Sequence, residues 1–174
     1  MNYSAIKKRD IANGTGVRVS LFVSGCTHHC RGCFNPETWD FNYGSLFDTE
    51  TENEIISFLE PEYIRGLSVL GGEPMEPRNQ KALLPFISKV RERYPQKDIW
   101  IYTGYTFETD LSEGGSAWCD ETSDLLALAD ILVDGEFAEE LKNLRLRFRG
   151  SENQRIINLR RTLSAGETII KELH

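Results

Sequence analysis

Apolar residues recur along the chain in short runs that predict strands, separated by stretches in which they recur at helical spacing. The clearest run is Val17–Val23, whose β-branched and partly alternating residues predict a buried strand. Further short runs predict three more strands, at 67–70, 98–103 and 130–133. Each predicted strand leads directly into a loop that contains glycine.

Between the strands, apolar positions three and four residues apart predict amphipathic helices. Three helices are predicted in this way, at 51–59, 83–94 and 124–129. Pro85 lies in the second of them, where a proline either opens a helix at its first turn or kinks it. The alternation of apolar residues with arginine over 144–148 predicts an edge strand. Residues 106–120 read as a loop, and the stretch after Asn153 predicts one weak helix.

The order strand, loop, helix recurs at least three times, which predicts an α/β fold with a parallel sheet and right-handed crossovers. Ligands of such sheets bind outside the carboxyl ends of the strands. Four loops follow strand ends, namely the loop that begins after Val23 and the segments 71–74, 104–105 and 134–135. We therefore expect these four loops to gather at one rim of the sheet.

The composition is that of one soluble globular domain, with 174 residues of which 40% are hydrophobic and 27% charged. The chain contains no apolar run of about 18 residues and no basic-then-apolar N-terminus, so we expect neither a membrane span nor a secretory signal. Four cysteines without an export signal favour the reducing cytoplasm over a disulfide scaffold.

Charge is distributed unevenly along the chain. Residues 1–140 contain 12 Lys and Arg against 24 Asp and Glu, whereas residues 141–161 contain seven basic residues against Glu152 alone. The acidic body argues against general nucleic-acid binding. The basic block at 141–161 either docks an acidic partner or a phosphate, or is a solvated face that compensates the acidic body.

The loop after the first predicted strand contains three of the four cysteines, Cys26, Cys30 and Cys33, within eight residues. Thiolates at such short spacing converge on a soft metal ion or cluster. Structural zinc and electron-transfer iron–sulfur clusters usually take four protein ligands, whereas a centre that performs chemistry keeps one position open. Three ligands therefore favour an iron–sulfur cluster with one open iron.

Two alternatives from other classes stay open at this point. A zinc-binding interaction module would use His28, His29 or Cys119 as its fourth ligand, and a ferredoxin-like electron carrier would need Cys119. We expect neither histidine to be a ligand, and we read Cys119 as an incidental free thiol. The Gly71–Pro74 segment is a weak signal alone, but its glycines would let the backbone come close to a ligand.

These motifs together resemble the radical S-adenosylmethionine superfamily and, within it, the activases of glycyl radical enzymes. The resemblance extends over about residues 1–156 and is carried by the cysteine loop with Phe34 and by the following segments: 1–3, Asn13-Gly14-x-Gly16-x-Arg18, 21–26, 32–35, 38–39, 71–74, 97–100, 102–105, 133–135 and Arg149-Gly150-Ser151-x-Asn153-Gln154. It implies a small, incomplete (β/α) barrel with a parallel sheet and helices on the outside.

The resemblance also implies the cofactors and the residues that hold them. Cys26, Cys30 and Cys33 would bind three irons of a [4Fe-4S] cluster, and the fourth iron would chelate the amino and carboxylate groups of S-adenosylmethionine. Gly32, Cys33 and Phe34 would border the adenine. Gly71, Gly72 and Glu73 would meet the methionine amino group. The cofactors carry the chemistry, so no side chain is expected to act as a general acid or base.

The implied substrate is a protein. In this family, cleavage of S-adenosylmethionine leads to a glycyl radical near the C-terminus of the large subunit of an anaerobic ribonucleoside-triphosphate reductase, and reduced flavodoxin or a similar protein donates the electron. An incomplete barrel suits a protein substrate, because its open side must admit a polypeptide loop. No nucleic acid or membrane is implied as a partner.

The sequence departs from the family pattern in a few places. Thr15 stands where the family usually has proline, and Phe34 stands where it usually has tyrosine. The segment 107–122 is longer than the family pattern leads us to expect. We predict an activase domain over residues 1–156 and a tail of unassigned role over residues 157–174.

Overall fold

A computed structural model describes residues 1–172, and its seven strands form one sheet in the order β3-β1-β2-β4-β5-β6-β7. The strands are β1 (Asn2–Asp10), β2 (Val17–Val23), β3 (Ser45–Leu46), β4 (Ile64–Gly71), β5 (Asp98–Tyr102), β6 (Ile131–Asp134) and β7 (Arg155–Asn158). The helices are α1 (Thr49–Phe58), α2 (Pro77–Arg93), α3 (Thr122–Leu128) and α4 (Leu159–Ala165), with short 3₁₀ turns at Pro36–Trp39 and Glu139–Leu141.

The predicted α/β fold is confirmed, but the prediction of a wholly parallel sheet is wrong. Strands β2, β4, β5 and β6 pair in parallel, whereas β1 with β2, β1 with β3, and β6 with β7 pair antiparallel. The central strands are parallel because helices α1, α2 and α3 carry the chain back between them. The edges are antiparallel because β1 reaches β2 through the tight turn at 11–16, and no α-helix lies between β6 and β7.

Two further differences concern local pattern. The segment 144–148 is a loop and not the predicted edge strand: Phe148 has a positive φ of 60° and packs on Trp100. Strand β1 was not predicted, because its residues are mostly half-buried or exposed and show no apolar run. The loop between Tyr102 and Thr122 and the helix after Asn153, which is α4, agree with prediction.

The first turns of α2 were also missed, since this helix begins at Pro77 and not near residue 83. Its first positions that face the interior are Asn79 and Gln80, which are 1% and 0% exposed. Apolar periodicity cannot detect a helix turn whose buried side chains are polar. The Asn79 amide donates to the carbonyl oxygens of Ser24 and Glu73, and the Gln80 amide donates to those of Met75 and Ala117.

The helices cover only one face of the sheet at its centre. Side chains such as Leu21, Val69 and Ile101 point to that face and pack with buried residues of α1, α2 and α3 in the main core. Alternate positions, including Arg18, Ser68 and Trp100, point to the opposite face. No helix within residues 1–172 is both long and apolar enough to cross a membrane.

Buried Arg18 fixes the turn between β1 and β2 on this opposite face. Its guanidinium donates to Ser68 Oγ (2.7 Å), to the carbonyl oxygens of Leu67 (2.8 Å) and Thr15 (3.1 Å), and to the Asp98 carboxylate. Burial lowers the pKa of Arg18, although the Asp98 charge opposes that shift. Each of the three guanidinium nitrogens of Arg18 therefore has a hydrogen-bond acceptor within the protein.

Candidate metal centre

The cysteine loop, residues 24–34, begins at the carboxyl end of β2 and is held to the protein on both sides. The backbone N–H groups of Gly25 and Cys26 donate to the carbonyl oxygens of Thr38 (2.8 Å) and Trp39 (3.2 Å). Thr27 donates from its backbone N–H (2.9 Å) and its hydroxyl (2.6 Å) to one carboxylate oxygen of Glu76. The loop is therefore anchored next to the start of α2.

All three cysteines of this loop line one cavity of about 450 Å³ on the helix-free face of the sheet. Cys26 is buried, Cys30 and Cys33 are half-buried, and none forms a disulfide. Residues of the other three strand-end loops line the same cavity: Gly71, Gly72, Glu73, Thr103, Gly104 and Gly135. The four loops thus gather at one rim, as the strand order predicted.

Glycines at the rim allow close approaches that a side chain would block. A Cβ on Gly72 would lie 2.8 Å from the carbonyl oxygen of Gly25, and a Cβ on Gly104 would lie 2.7 Å from His28 Nε2. Gly71 has a φ of 110°, which disfavours any other residue. Because these positions are glycines, the backbone comes close to the cysteine loop and to the cavity.

The donor set fits an iron–sulfur cluster better than a single zinc ion. Within residues 1–172, no group of three His, Cys, Asp or Glu side chains is close enough to hold one metal ion. A structural zinc needs such convergence, because its four ligands surround one atom. A cluster spreads its cysteine ligands over different irons, so three thiols around one roomy cavity suit it.

Burial favours the protonated form of two of these thiols. It raises the pKa of Cys26 to about 12, and together with the nearby Glu136 carboxylate it raises that of Cys30 to about 11. Both thiols are therefore protonated at neutral pH in the metal-free protein. Since metals bind thiolates, loading of the site must be coupled to the release of protons.

Glu73 is the most connected residue of the glycine loop. Its carboxylate is 1% exposed and accepts hydrogen bonds from Met75 N (2.8 Å), Gly104 N (2.7 Å) and His28 Nε2 (3.0 Å). Burial opposes the charged form of His28, but the hydrogen bond and the charge of Glu73 outweigh it and raise the His28 pKa. Both oxygens of the Glu73 carboxylate therefore accept hydrogen bonds from within the protein, and the carboxylate joins loops that follow three different strands.

Five of the six residues predicted to bind the cofactor line this cavity, namely Cys33, Phe34, Gly71, Gly72 and Glu73. Phe34 is 68% exposed, and its ring lies 5.7 Å from that of Phe137 and 5.1 Å from Lys142 Nζ. Gly32 is the exception. A Cβ on it would face the Glu139 side chain at 3.0 Å and not the cavity.

Cys119 and His29 both lie outside this arrangement. Cys119 does not line the cavity, and its Sγ lies 3.5 Å from Thr122 Oγ1 at the start of α3. His29 has a positive φ of 53° and stacks on Trp39, with ring centroids 4.5 Å apart. Neither side chain lines the cavity that the three cysteines share.

Sequence reasoning missed several polar residues that shape the rim. Asn79 donates to the carbonyl oxygens of Ser24 (3.0 Å) and Glu73 (2.9 Å), so that one side chain joins the cysteine loop to the glycine loop. Gln154 donates to the carbonyl oxygen of Gly135 (3.0 Å) and accepts from Gly150 N (2.8 Å). The Asn153-Gln154 part of the sequence motif could have pointed to Gln154. Nothing in the sequence pointed to Asn79.

The basic block does not form one surface. Arg155 pairs with Asp134 and Glu108, and Arg160 pairs with Asp130, so these two arginines stabilise the fold. Arg149 donates to the carbonyl oxygen of Gln154 (2.6 Å). The block therefore divides into a structural part and a loop at 141–149 that lies beside the cavity.

That loop forms one wall of a second cavity of about 360 Å³, which we call the entrance groove. The entrance groove shares four lining residues with the first cavity, so the two adjoin each other: Ala12, Asn13, Phe34 and Tyr102. Its other wall residues include Lys142, Leu144, Leu146, Phe148 and Arg149. Leu144 is 88% exposed there.

Comparison with known proteins agrees with this geometry. Residues 12–157 match the model of a family described as a 4Fe-4S single cluster domain. Curated relatives named anaerobic ribonucleoside-triphosphate reductase-activating protein match over most of the chain. The protein of Enterobacteria phage T4 is 41% identical over 156 residues, covering 90% of this chain and 93% of its own. That of Vibrio cholerae is 43% identical over 156 residues (88% and 96%), and that of Escherichia coli K12 is 41% identical over 162 residues (92% and 100%).

Proposed function

The chain belongs to the family of anaerobic ribonucleoside-triphosphate reductase-activating proteins, and on this premise we propose that it generates a glycyl radical on the large subunit of such a reductase. The reaction is a reductive cleavage of S-adenosylmethionine at a [4Fe-4S] cluster. The observation that carries the proposal is the single cavity in which three loop cysteines face the glycine-rich ends of the neighbouring parallel strands.

We assign Cys26, Cys30 and Cys33 as the ligands of the cluster, which leaves one iron without a protein ligand. When bound and reduced, the cluster supplies the electron that cleaves the sulfonium of S-adenosylmethionine. The chain's own residues position both groups. The anchored cysteine loop fixes the cluster at the end of β2, and the helix-free face leaves room beside it for a second ligand.

The glycine loop suits the methionine end of S-adenosylmethionine. Its amides are already used, since Gly72 N donates to the carbonyl oxygen of Val23 (2.7 Å) and Glu73 N donates to that of Gly25 (2.8 Å). The loop therefore offers an incoming ammonium group its carbonyl oxygens and the negative charge of Glu73. We assign Gly71, Gly72 and Glu73 to this role, with Cys33, Phe34 and the backbone of Gly32 bordering the adenine.

The entrance groove gives a protein substrate a route to the cavity. A glycine Cα can be reached only if a polypeptide segment enters, because a folded domain does not fit into a cavity of this size. The groove offers apolar contact through Leu144 and Phe34, and positive charge through Lys142, at the mouth of the cavity. We propose that the glycine-bearing segment of the reductase large subunit lies in it.

Several finer assignments belong to the same proposal. The sheet, with parallel strands at its centre and helices on one face, would be the incomplete barrel of the radical S-adenosylmethionine type. Residues 1–156 would form the activase domain, although β7 and α4 continue the fold beyond that boundary. Reduced flavodoxin or a similar protein would donate the electron in the cytoplasm, with neither nucleic acid nor membrane as a partner.

The decisive experiment is anaerobic reconstitution of the protein with iron and sulfide, followed by dithionite and S-adenosylmethionine. We expect 5′-deoxyadenosine to form and, with the reductase large subunit present, a stable organic radical to appear by electron paramagnetic resonance. If the subunit carries glycine deuterated at Cα, the deuterium should be found in 5′-deoxyadenosine. A cluster that forms without any cleavage would favour an electron carrier, and a colourless zinc protein would favour an interaction module.

A further inference from the structure

His28 lies between two proposed cluster ligands, yet its side chain is directed to a different loop. Its Nε2 donates to Glu73 Oε2 at 3.0 Å, and the ring is largely buried, with its side chain 12% exposed. We infer that His28 is a positioning residue, which fixes the cysteine loop against the glycine loop and so sets where S-adenosylmethionine meets the cluster. The inference rests on the proposed function for the identity of that ligand.

The hydrogen bond from His28 completes a junction between the loops that follow β2, β4 and β5. The same Glu73 oxygen accepts from Gly104 N at 2.7 Å, and the other carboxylate oxygen accepts from Met75 N at 2.8 Å. One carboxylate therefore holds three loops, and His28 is its contact with the cysteine loop. Without His28, Glu73 keeps its two backbone donors but loses this contact.

The packing around the imidazole is specific. The Tyr105 ring lies against it with centroids 4.4 Å apart, and a side chain at Gly104 would collide with Nε2. The preceding residue, Thr27, bonds Glu76 in the same way that His28 bonds Glu73. Two consecutive residues of the cysteine loop are thus held by two carboxylates that lie three residues apart in the loop between β4 and α2.

The expected consequence differs for the two cofactors. The three cysteines lie in one loop, so cluster assembly does not require the contact with Glu73. Binding of S-adenosylmethionine spans both loops, so it requires their relative position. Loss of one hydrogen bond to a charged group corresponds to about a tenfold to hundredfold change in an equilibrium constant, and we expect His28→Ala to weaken S-adenosylmethionine binding by that factor.

His29 provides a matched control, because it is the same residue type in the same loop but stacks on Trp39. His29→Asn suits its positive φ, which asparagine tolerates. His28→Gln is the conservative variant, because its amide can donate to Glu73. The reconstituted wild type and the three variants are compared for iron content, the cluster spectrum with and without S-adenosylmethionine, equilibrium binding of S-adenosylmethionine, and KM against kcat for its cleavage.

We expect His28→Ala to retain wild-type iron, to bind S-adenosylmethionine about tenfold or more weakly, and to show a reduced spectral response to it. His28→Gln should recover most of the affinity, and His29→Asn should match the wild type. In the metal-free protein, amide hydrogen exchange across 26–33 should be faster in His28→Ala only. The positioning role is refuted if His28→Ala binds S-adenosylmethionine like the wild type, or if it loses iron. A wild type that binds a cluster but no S-adenosylmethionine refutes the proposed function itself.

Discussion

Replacing Leu144 by aspartate tests whether the entrance groove receives the protein substrate. Leu144 is 88% exposed and lines the groove without belonging to either core cluster. Its replacement should therefore leave the free energy of unfolding unchanged. If a segment of the reductase covers this side chain, however, the substitution removes apolar burial from the complex and places a charge in it.

The size of the effect follows from the exposure of the side chain. Burying a leucine that is almost fully exposed contributes about 2 kcal/mol, so its loss alone raises the Kd of the complex by about 30-fold. Burial of the new carboxylate adds to this loss. Uncoupled cleavage of S-adenosylmethionine, which needs no partner, should stay at the wild-type rate because Leu144 does not line the cysteine cavity.

The assay measures three quantities on the same reconstituted protein: affinity for the reductase large subunit, radical yield, and 5′-deoxyadenosine formed without the subunit. Leu46→Asp is the matched control, because Leu46 is 64% exposed on the edge strand β3 and lines neither cavity. Unchanged affinity in Leu144→Asp, or an equal loss in Leu46→Asp, would show that the groove is not the docking site.

Three other predictions concern the cluster and the fold. Cys119→Ser should retain wild-type iron after reconstitution whereas Cys30→Ser should not, as metal analysis would show; equal losses would make Cys119 a ligand. Arg18→Met should lower the free energy of unfolding by about 3 kcal/mol in urea denaturation, because it removes the hydrogen bonds of the buried guanidinium to Ser68 Oγ and the Leu67 carbonyl and one of the two ion pairs of Asp98; a loss below about 1 kcal/mol would contradict this. The hydrogen bond from Arg155 lowers the pKa of Glu108 to about 2, so its stabilising effect should be complete above about pH 5 and lost as the pH falls towards 2. Glu108→Gln should flatten that part of the pH dependence, and an unchanged profile would exclude the pair as its source.

The sequence predicts the strands at the centre of the sheet better than those near its edges. Strand β2 is central and paired on both sides, so five of its seven residues are buried, and its β-branched, partly alternating sequence predicts it clearly. Strand β1 lies near the edge of the sheet. Its positions are mostly half-buried or exposed, so it shows no apolar run that would predict a strand. The alternation at 144–148 resembles an edge strand, but Leu144 faces solvent and Phe148 packs on Trp100. The alternation therefore does not arise from the two faces of a strand.

The candidate site likewise contains residues that a local sequence pattern reveals and residues that only the tertiary structure brings together. Cys26, Cys30 and Cys33 could be proposed as ligands because cluster binding favours thiols at short spacing in one loop. The contact of His28 with Glu73 joins residues 45 positions apart, and the contact of Asn79 with Ser24 joins residues 55 apart. Neither spacing is fixed by the chemistry, so no local pattern could reveal these contacts.

This division has a functional reason. The ligands of a [4Fe-4S] cluster are typically thiolates, whereas a residue that holds two loops together needs only a donor of suitable length. Asn79 meets that need with an amide, His28 with an imidazole and Thr27 with a hydroxyl. On the proposed assignment, the cysteines would place the cluster within one loop, and these polar contacts would set where that loop lies relative to the glycines. Variants of the cysteines should therefore abolish metal binding, while variants of the polar contacts should separate cluster assembly from binding of the second cofactor.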